Sequence, residues 1–195
     1  MITILSGSPR KNSNTLRVAK AIQQHIQSLN NEETAHVIDF NQFDIPSMNA
    51  GRVDPNNLTE FQANLFNSCK ESDLIFVLTP EYNWFPSAEI IQMVHTMAAP
   101  AFKDMWNNKV FATCGTSNGR GGRMPAVQLS YTINKILNVF NCESMVSPKI
   151  FESQFTDKAI DENGFSLGNS EYMAGLEAFV AFNLKLKSRW LNTEK

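Results

Sequence analysis

Short apolar runs alternate along the chain with longer segments in which apolar residues recur every three or four positions. Five runs have the length and composition of buried strands: residues 2–5, 36–40, 74–79, 110–114 and 144–150. Each is followed by apolar residues at helical spacing, in segments that begin at Val18, Leu58, Ile90, Leu129 and Leu176. Five strand–helix units predict a parallel sheet with helices on both faces. Because such crossovers are right-handed, we expect a three-layer, doubly wound α/β fold with five parallel strands.

Composition and charge restrict the kinds of protein that the chain can be. Its 195 residues predict one domain over 1–195, and its 43% hydrophobic and 18% charged residues are ordinary for a globular protein. The net charge of −2 gives no indication of a nucleic-acid or polybasic membrane partner. With no signal-peptide pattern and no membrane-length apolar stretch, we expect a cytoplasmic location. Cys69, Cys114 and Cys142 fit no metal-site spacing and are expected to be reduced thiols.

The loop after the first strand has the composition of a phosphate site. In open parallel sheets, ligands bind beyond the carboxyl ends of the strands. Residues 7–15 are small or polar and lead directly into the first helix, whose N-terminus offers unpaired N–H groups to an anion. Hydroxyl and amide donors together with an arginine suit a terminal phosphate monoester. The loop has neither the Walker A pattern nor the GxGxxG pattern. The candidate residues are Ser8, Arg10, Ser13, Asn14 and Thr15.

The loops after the third and fourth strands are also unusual. Residues 79–86 contain two prolines and three aromatic residues. They are expected to form a wall for a ligand, an apolar plug over the end of the sheet, or part of a subunit contact. Residues 115–122 contain four of the nine glycines of the chain. Such a density of glycine allows a backbone to approach a flat ligand closely. Both loops are therefore candidates for the same site as the first.

Four motifs in this order resemble one known family. They are G-S-x-R-x-x-S at 7–13, P-E-Y-N at 80–83, the glycine-rich loop at 115–122 and D-x-x-G at 161–164. The chain thus resembles the NADPH-dependent FMN reductases, a flavodoxin-like family that includes quinone, azo-dye and chromate reductases. The resemblance implies an FMN cofactor and NADPH or NADH as co-substrate. Hydride would pass from nicotinamide to flavin N5 and on to free flavin, a quinone, an azo compound or a metal oxyanion.

The resemblance also implies which residues hold the cofactor. The FMN 5′-phosphate would be held by Ser8, Arg10, Ser13, Asn14 and Thr15. The ribityl chain and ring would lie beside Pro80, Glu81, Tyr82, Asn83 and Trp84. The pyrimidine edge of the ring would meet Gly115, Thr116, Ser117, Gly119 and Gly121. No catalytic side chain is required, because the flavin carries the hydride chemistry.

One departure from the family pattern concerns the aromatic residues. Only Trp84 and Phe85 separate Asn83 from Pro86, where the family usually has three residues. Trp84 and Phe85 are therefore expected either to wall the flavin or to form a subunit contact.

Without a second dinucleotide motif, donor and acceptor should use the same open face of the flavin in turn, which predicts ping-pong kinetics. A homodimer or dimer of dimers would complete the pocket.

Two other functions are compatible with parts of the sequence. A flavodoxin-type electron carrier would have the same fold without reductase turnover, although Arg10 and the small net charge favour the reductase. Cys114 and Arg120 have the C-x5-R spacing of cysteine-dependent phosphatases. Gly121 replaces the hydroxyl residue that follows that arginine in those enzymes, and the phosphatase hypothesis leaves the first two loops unexplained.

Overall fold

The computed structural model describes residues 1–29 and 33–191. Its strands are β1 (Ile2–Ser6), β2 (Ala35–Asp39), β3 (Leu74–Pro80), β4 (Val110–Thr116), β5 (Met145–Val146) and β6 (Phe151–Ser153). Its α-helices are α1 (Asn14–Ser28), α2 (Glu60–Glu71), α3 (Ala88–Met97), α4 (Arg123–Val139), α5 (Thr156–Ala159) and α6 (Ser170–Leu191). Two 3₁₀ segments follow β2 and α3, at Phe40–Gln42 and Pro100–Met105.

The strands form a parallel sheet in the order β2-β1-β3-β4-β5, with β6 also paired to β4. This confirms the predicted doubly wound α/β fold, and the strand order is that of flavodoxin-like proteins. The order reverses between β1 and β3, so the crossovers leave this point in opposite directions. A crevice is therefore expected beyond the carboxyl ends of these two strands.

The predicted fifth strand at 144–150 is wrong in its bounds, because only β5 lies within that range and the next short strand, β6, begins after it. Both β5 and β6 pair with β4, but β6 pairs in a different register. Pro148 lies between them and has no N–H to donate to a sheet. The Ser147 hydroxyl accepts a hydrogen bond from the Lys149 amide at 3.2 Å and closes a turn at this point.

The sheet is buried on both faces, as its parallel pairing requires. Helices α2, α3 and α4 cover one face, where alternate residues such as Leu5 and Val77 point into the core. Helices α1 and α6 cover the other face and pack against Ile4 and Phe76. This two-sided core fixes the strand ends rigidly, so the loops beyond them start from defined positions. Among the described residues, no helix is long and apolar enough to cross a membrane.

The D-x-x-G segment forms a turn that packs on α1. The Asp161 carboxylate accepts hydrogen bonds from the amides of Asn163 at 2.8 Å and Phe165 at 2.9 Å. Gly164 has a φ of +91°, and a Cβ there would lie 2.6 Å from the Ala21 nitrogen. Only glycine satisfies both the backbone angle and the close approach.

Candidate functional site

A cleft of about 410 Å³ opens at the carboxyl ends of β1, β3 and β4. This volume lies within the range of small-molecule sites. The cleft is lined by Ser8, Arg10, Lys11, Asn12, Ser13, Asn14, Thr15, Pro80, Glu81, Tyr82, Thr116, Ser117 and Asn118. The structure thus brings together all five candidates of the first loop with parts of the two later loops.

The first loop is held against the sheet by Gly7. Its amide donates to the Leu78 carbonyl at 2.9 Å, and its own carbonyl accepts from the Ser87 hydroxyl at 2.5 Å. A Cβ at Gly7 would lie 2.6 Å from the Leu78 oxygen and would overlap Ile90. Glycine is therefore required for the loop to pass between β3 and α3.

Helix α1 begins at the edge of the cleft. Ser13 is its N-cap residue, and the Ser13 hydroxyl accepts from the Leu16 amide at 3.1 Å. The next two residues, Asn14 and Thr15, line the cleft. The positive end of the helix dipole therefore borders the cleft, where it favours an anion.

The Arg10 side chain lies over the aromatic ring of Tyr82. The guanidinium carbon is 5.0 Å from the ring centroid, which is within cation–π range. Both residues line the cleft, and Arg10 is exposed. The contact holds a permanent positive charge at the mouth of the cleft, beside the first loop.

The first and third loops are joined by polar contacts. The hydroxyls of Thr15 and Thr116 are 3.0 Å apart, and both side chains are buried. The Asn14 side-chain amide donates to the side-chain oxygen of Asn118. These contacts connect the start of α1 to the end of β4 and form one side of the cleft.

The segment 82–85 is a tight hairpin turn in which Tyr82 lines the cleft, whereas the aromatic side chains of Trp84 and Phe85 lie outside it. The Tyr82 and Phe85 backbones exchange hydrogen bonds of 3.0 and 3.1 Å. Asn83 and Trp84 have positive φ angles of 51° and 73°, an arrangement that suits asparagine and is rare for tryptophan. Trp84 is 68% exposed and Phe85 is 63% exposed. Neither Asn83 nor Trp84 lines the cleft.

Phe85 instead borders a separate apolar groove of about 510 Å³. The groove lies between the 82–85 turn, α3 and α4, and is lined by Phe85, Pro86, Ile91, Val127, Gln128, Tyr131 and Thr132. Tyr131 is 77% exposed, and no lining residue carries a charge. Phe85 therefore lies at this groove and not at the cleft.

The glycines of the third loop lie close to other parts of the protein or in open space. Gly115 is within β4, where a Cβ would overlap the Gly122 carbonyl oxygen. A Cβ at Gly121 would lie 2.6 Å from the Glu81 carboxylate, whereas Gly119 has open space around it. Gly115, Gly119 and Gly121 are therefore outside the lining of the cleft, while Thr116 and Ser117 belong to it.

Three lining residues were not among the sequence candidates. Lys11 and Asn12 lie within the same polar loop as Arg10, so their position in the sequence could have predicted that they line the cleft. Asn118 lies in the candidate loop 115–122, so its position was also indicated, but its contact with Asn14, 104 positions earlier in the chain, was not. Local spacing gives no indication of such a distant contact.

The environment of Cys114 does not fit the phosphatase hypothesis. Its side chain is fully buried in β4, and desolvation raises the pKa of the thiol well above its ordinary value. A phosphatase nucleophile requires the opposite, a lowered pKa and access to substrate. Neither Cys114 nor Arg120 lines the cleft.

The strand order defines a flavodoxin-like fold, and the cleft beyond its point of reversal is lined mainly by hydroxyl, amide and basic side chains. The sequence profile of the NADPH-dependent FMN reductases matches residues 1–149, and the chain belongs to this family. It is accordingly a flavin-dependent oxidoreductase that uses FMN and takes electrons from NAD(P)H. The motifs at 7–13 and 80–83 that carried the resemblance both lie within the matched region.

Solved structures share the fold at low sequence identity. The flavoenzyme NAD(P)H:(acceptor) oxidoreductase FerB from Paracoccus denitrificans superposes with a TM-score of 0.75 at 17% identity, covering 96% of this chain and 97% of its own. An azoreductase from Bacillus anthracis gives 0.58 at 15% identity, with 94% and 98% covered. An archaeal flavodoxin gives 0.58 at 14% identity, with 98% and 100% covered. No curated protein sequence gives a significant match.

Proposed function

We propose that the cleft holds FMN, with its phosphate at the start of α1, and that the protein passes hydride from NAD(P)H to a small acceptor. The observation that carries this proposal is the concentration of donors around one helix N-terminus. Ser8, Ser13 and Thr15 supply hydroxyls there, and Arg10 and Lys11 supply positive charge. A phosphate dianion is the ligand that such a donor set suits best.

The donor chemistry fits FMN, and the chain's own residues have distinct tasks. Bound FMN supplies the hydride chemistry, while the protein provides binding and orientation. Ser8 and Thr15 are almost completely buried, so their hydroxyls are fixed in position before a ligand arrives. Pro80 and Tyr82 on one side, with Thr116 and Ser117 on the other, would support the ribityl chain and the ring.

The remaining predicted cofactor residues would act through the shape of the site. Asn83 and Trp84 form the turn at the rim of the cleft, and the Trp84 side chain is slightly more exposed than that of Phe85. Because Gly115 and Gly121 have no Cβ, Gly122 and Glu81 can approach them closely, and Gly119 lies in the loop between them. We assign these residues to the loops that support the cleft rather than to its lining.

Donor and acceptor would use one open side of the bound flavin in turn. The sheet has one reversal of strand order, between β1 and β3, and the cleft lies beyond it. Free flavins, quinones, azo compounds and metal oxyanions are the acceptor classes proposed. Initial rates measured at several fixed acceptor concentrations should give parallel double-reciprocal lines. Converging lines would contradict the proposal that donor and acceptor use the same side of the flavin, because both substrates would then be bound at once.

A homodimer, alone or paired into a dimer of dimers, would cover the apolar groove. Phe85, Val127 and Tyr131 are exposed around it, and apolar groups concentrated in this way are typical of a protein contact. Sedimentation should give a dimer or a tetramer for the parent and a smaller species for Tyr131→Glu. Phe165→Glu, at an exposed aromatic outside the groove, is the matched control and should keep the oligomeric state of the parent. A monomeric parent would contradict this part of the proposal.

The reductase is tested by the oxidation of NADPH. The purified protein loaded with FMN should oxidise NADPH repeatedly when free flavin or a quinone is supplied. A flavodoxin-type carrier would keep its flavin but would not turn over with NADPH. That outcome would support the electron carrier and overturn the reductase.

A further inference from the structure

Helix α4 begins without a capping side chain of its own. Its N-cap residue is Gly122, with a left-handed backbone (φ +91°) and no side chain to accept a hydrogen bond from the first turn. The Gly122 amide instead donates to the Glu81 carboxylate, from a residue 41 positions earlier. The glutamate of a capping box makes the same kind of bond to an N-cap amide from within its own helix. Here the carboxylate comes from the loop after β3.

The backbone around Glu81 is arranged to admit this carboxylate. The Glu81 amide donates to the Thr116 carbonyl at 2.9 Å, so the residue is tied to the end of β4 as well. A Cβ at Gly121 would lie 2.6 Å from one carboxylate oxygen and 2.9 Å from the other. A Cβ at Gly115 would overlap the Gly122 carbonyl oxygen. The glycines at 115 and 121 therefore make room for the contact between the second and third loops.

The contact lies at the cleft. Glu81, Thr116 and Ser117 all line it, and Glu81 is the only carboxylate among the lining residues of the part that the structure describes. A free carboxylate would oppose the binding of an anion beside Arg10 and Lys11. Because one of its oxygens accepts from the Gly122 amide and its charge faces the positive end of α4, this carboxylate is engaged within the protein.

We propose that Glu81 is a positioning residue that clamps the 117–122 loop and the start of α4 onto the second loop, and so shapes the cleft before FMN binds. This inference rests on the proposed function for its link to FMN. The clamp itself is a property of the protein without ligand. If Glu81 acts as a clamp, FMN affinity depends on an acceptor oxygen at the distance of the Glu81 carboxylate from the backbone. It does not depend on direct contact between Glu81 and the cofactor.

Three variants separate these properties. Glu81→Ala removes the acceptor, Glu81→Gln keeps an oxygen at the same reach, and Glu81→Asp keeps the charge but withdraws it by one methylene. Glu60→Ala is the matched control, because Glu60 is a first-turn carboxylate of α2 outside the cleft lining. If the alanine variant fails to fold, the glutamine and aspartate variants still carry the comparison.

The first readout is hydrogen exchange of the Gly122 amide in protein without FMN. Alanine and aspartate should raise its rate roughly 10- to 100-fold, the equivalent of a lost hydrogen bond to a charged group. Glutamine should restore most of the protection, and the Glu60 control should leave it unchanged. Unchanged exchange in both the alanine and aspartate variants, or glutamine behaving as they do, would overturn the clamp.

The second readout is FMN affinity, followed by the change in the visible flavin spectrum on binding. Affinity should fall in parallel with Gly122 protection and recover in the glutamine variant. Loss of affinity with Gly122 protection intact would mean that Glu81 contacts FMN directly, and would overturn the positioning role. If the parent protein bound no FMN, the proposed function would fail, while the exchange measurement would still decide the clamp.

Discussion

The hydroxyls of Thr15 and Thr116 lie 3.0 Å apart, although the two residues are separated by 101 positions in the chain. Thr15 is in the first turn of α1 and Thr116 ends β4. Their hydrogen bond joins the first loop to the third and is inaccessible to solvent. This side of the cleft therefore depends on a buried pair of threonines from distant parts of the chain.

The charge of Arg10 should matter for FMN and not for riboflavin. Arg10→Ala should weaken FMN binding by about 1.5–3 kcal/mol, the range for a hydrogen bond to a charged group. Riboflavin has no phosphate, so it should bind the parent poorly and be almost indifferent to the change. Calorimetric titration of both ligands measures this, with Arg52→Ala as a control at an exposed arginine outside the cleft lining. Equal affinity of the parent for FMN and riboflavin would refute the phosphate assignment.

Two helix caps allow stability to be separated from binding. Ser13 caps α1 at the cleft, and Thr59 caps α2 in a capping box with Gln62, away from it. Ser13→Ala and Thr59→Ala should each lower the free energy of unfolding by about 1 kcal/mol. Only Ser13→Ala should also weaken FMN binding. Urea unfolding and FMN titration of both variants give the comparison, and an equal loss of affinity in the two would argue against a role for the start of α1.

Two glycines of the third loop should respond differently to alanine. At Gly115 a Cβ would overlap the Gly122 carbonyl oxygen and lie 2.7 Å from its carbon, whereas Gly119 has open space. Gly115→Ala should lower the free energy of unfolding by about 1–3 kcal/mol, as overpacking does. Gly119→Ala should change it by less than about 0.5 kcal/mol. Urea unfolding measures both, and similar values for the two would contradict the close approach.

Buried thiols should make the protein less stable in alkali. Burial raises the pKa of Cys69 from 9.0 to about 12, and raises the pKa of Cys114 as well. Above about pH 9 the unfolded thiols lose protons that the folded thiols keep, so the free energy of unfolding falls as pH rises towards 12. Each thiol contributes at most about 1.4 kcal/mol per pH unit. Urea unfolding at about pH 8 and about pH 10 should show a smaller fall in Cys114→Ala than in the parent. An equal fall in both would contradict the prediction.

Activity measurements on Cys114→Ala also test the phosphatase hypothesis. Because the thiol is buried and outside the cleft lining, Cys114→Ala should retain flavin and NADPH oxidation. A phosphatase activity in the parent that the substitution abolished would contradict this.

The sequence predicted the sheet well because both faces of its long strands are buried. Four predicted strands agree with the structure to within two residues at each end. The fifth was wrong in its bounds because Pro148 interrupts an apolar run that otherwise has the composition of a strand. The pattern of apolar residues does not show where a proline, which has no backbone N–H, interrupts the hydrogen bonding of a strand.

The site was predicted in part, and the missing part consists of contacts between distant segments. The polar residues of 7–15 lie together in the sequence, so they indicated the anion site directly. The density of glycine predicts room for a ligand, whereas in the structure Gly115 and Gly121 make room for Gly122 and Glu81. That partnership joins residues 41 positions apart, and nothing in local composition specifies it.

The central claim is that this cleft binds FMN and that NAD(P)H reduces it there. The most direct measurement is an anaerobic titration with NADPH of the purified, FMN-loaded protein, followed by its visible spectrum, with the chromophore then released and identified by mass. We expect a yellow protein that releases FMN in a ratio near one per chain and loses its visible band as NADPH is added. A protein that takes up no FMN, or whose visible band is unchanged by NADPH and NADH, would contradict it.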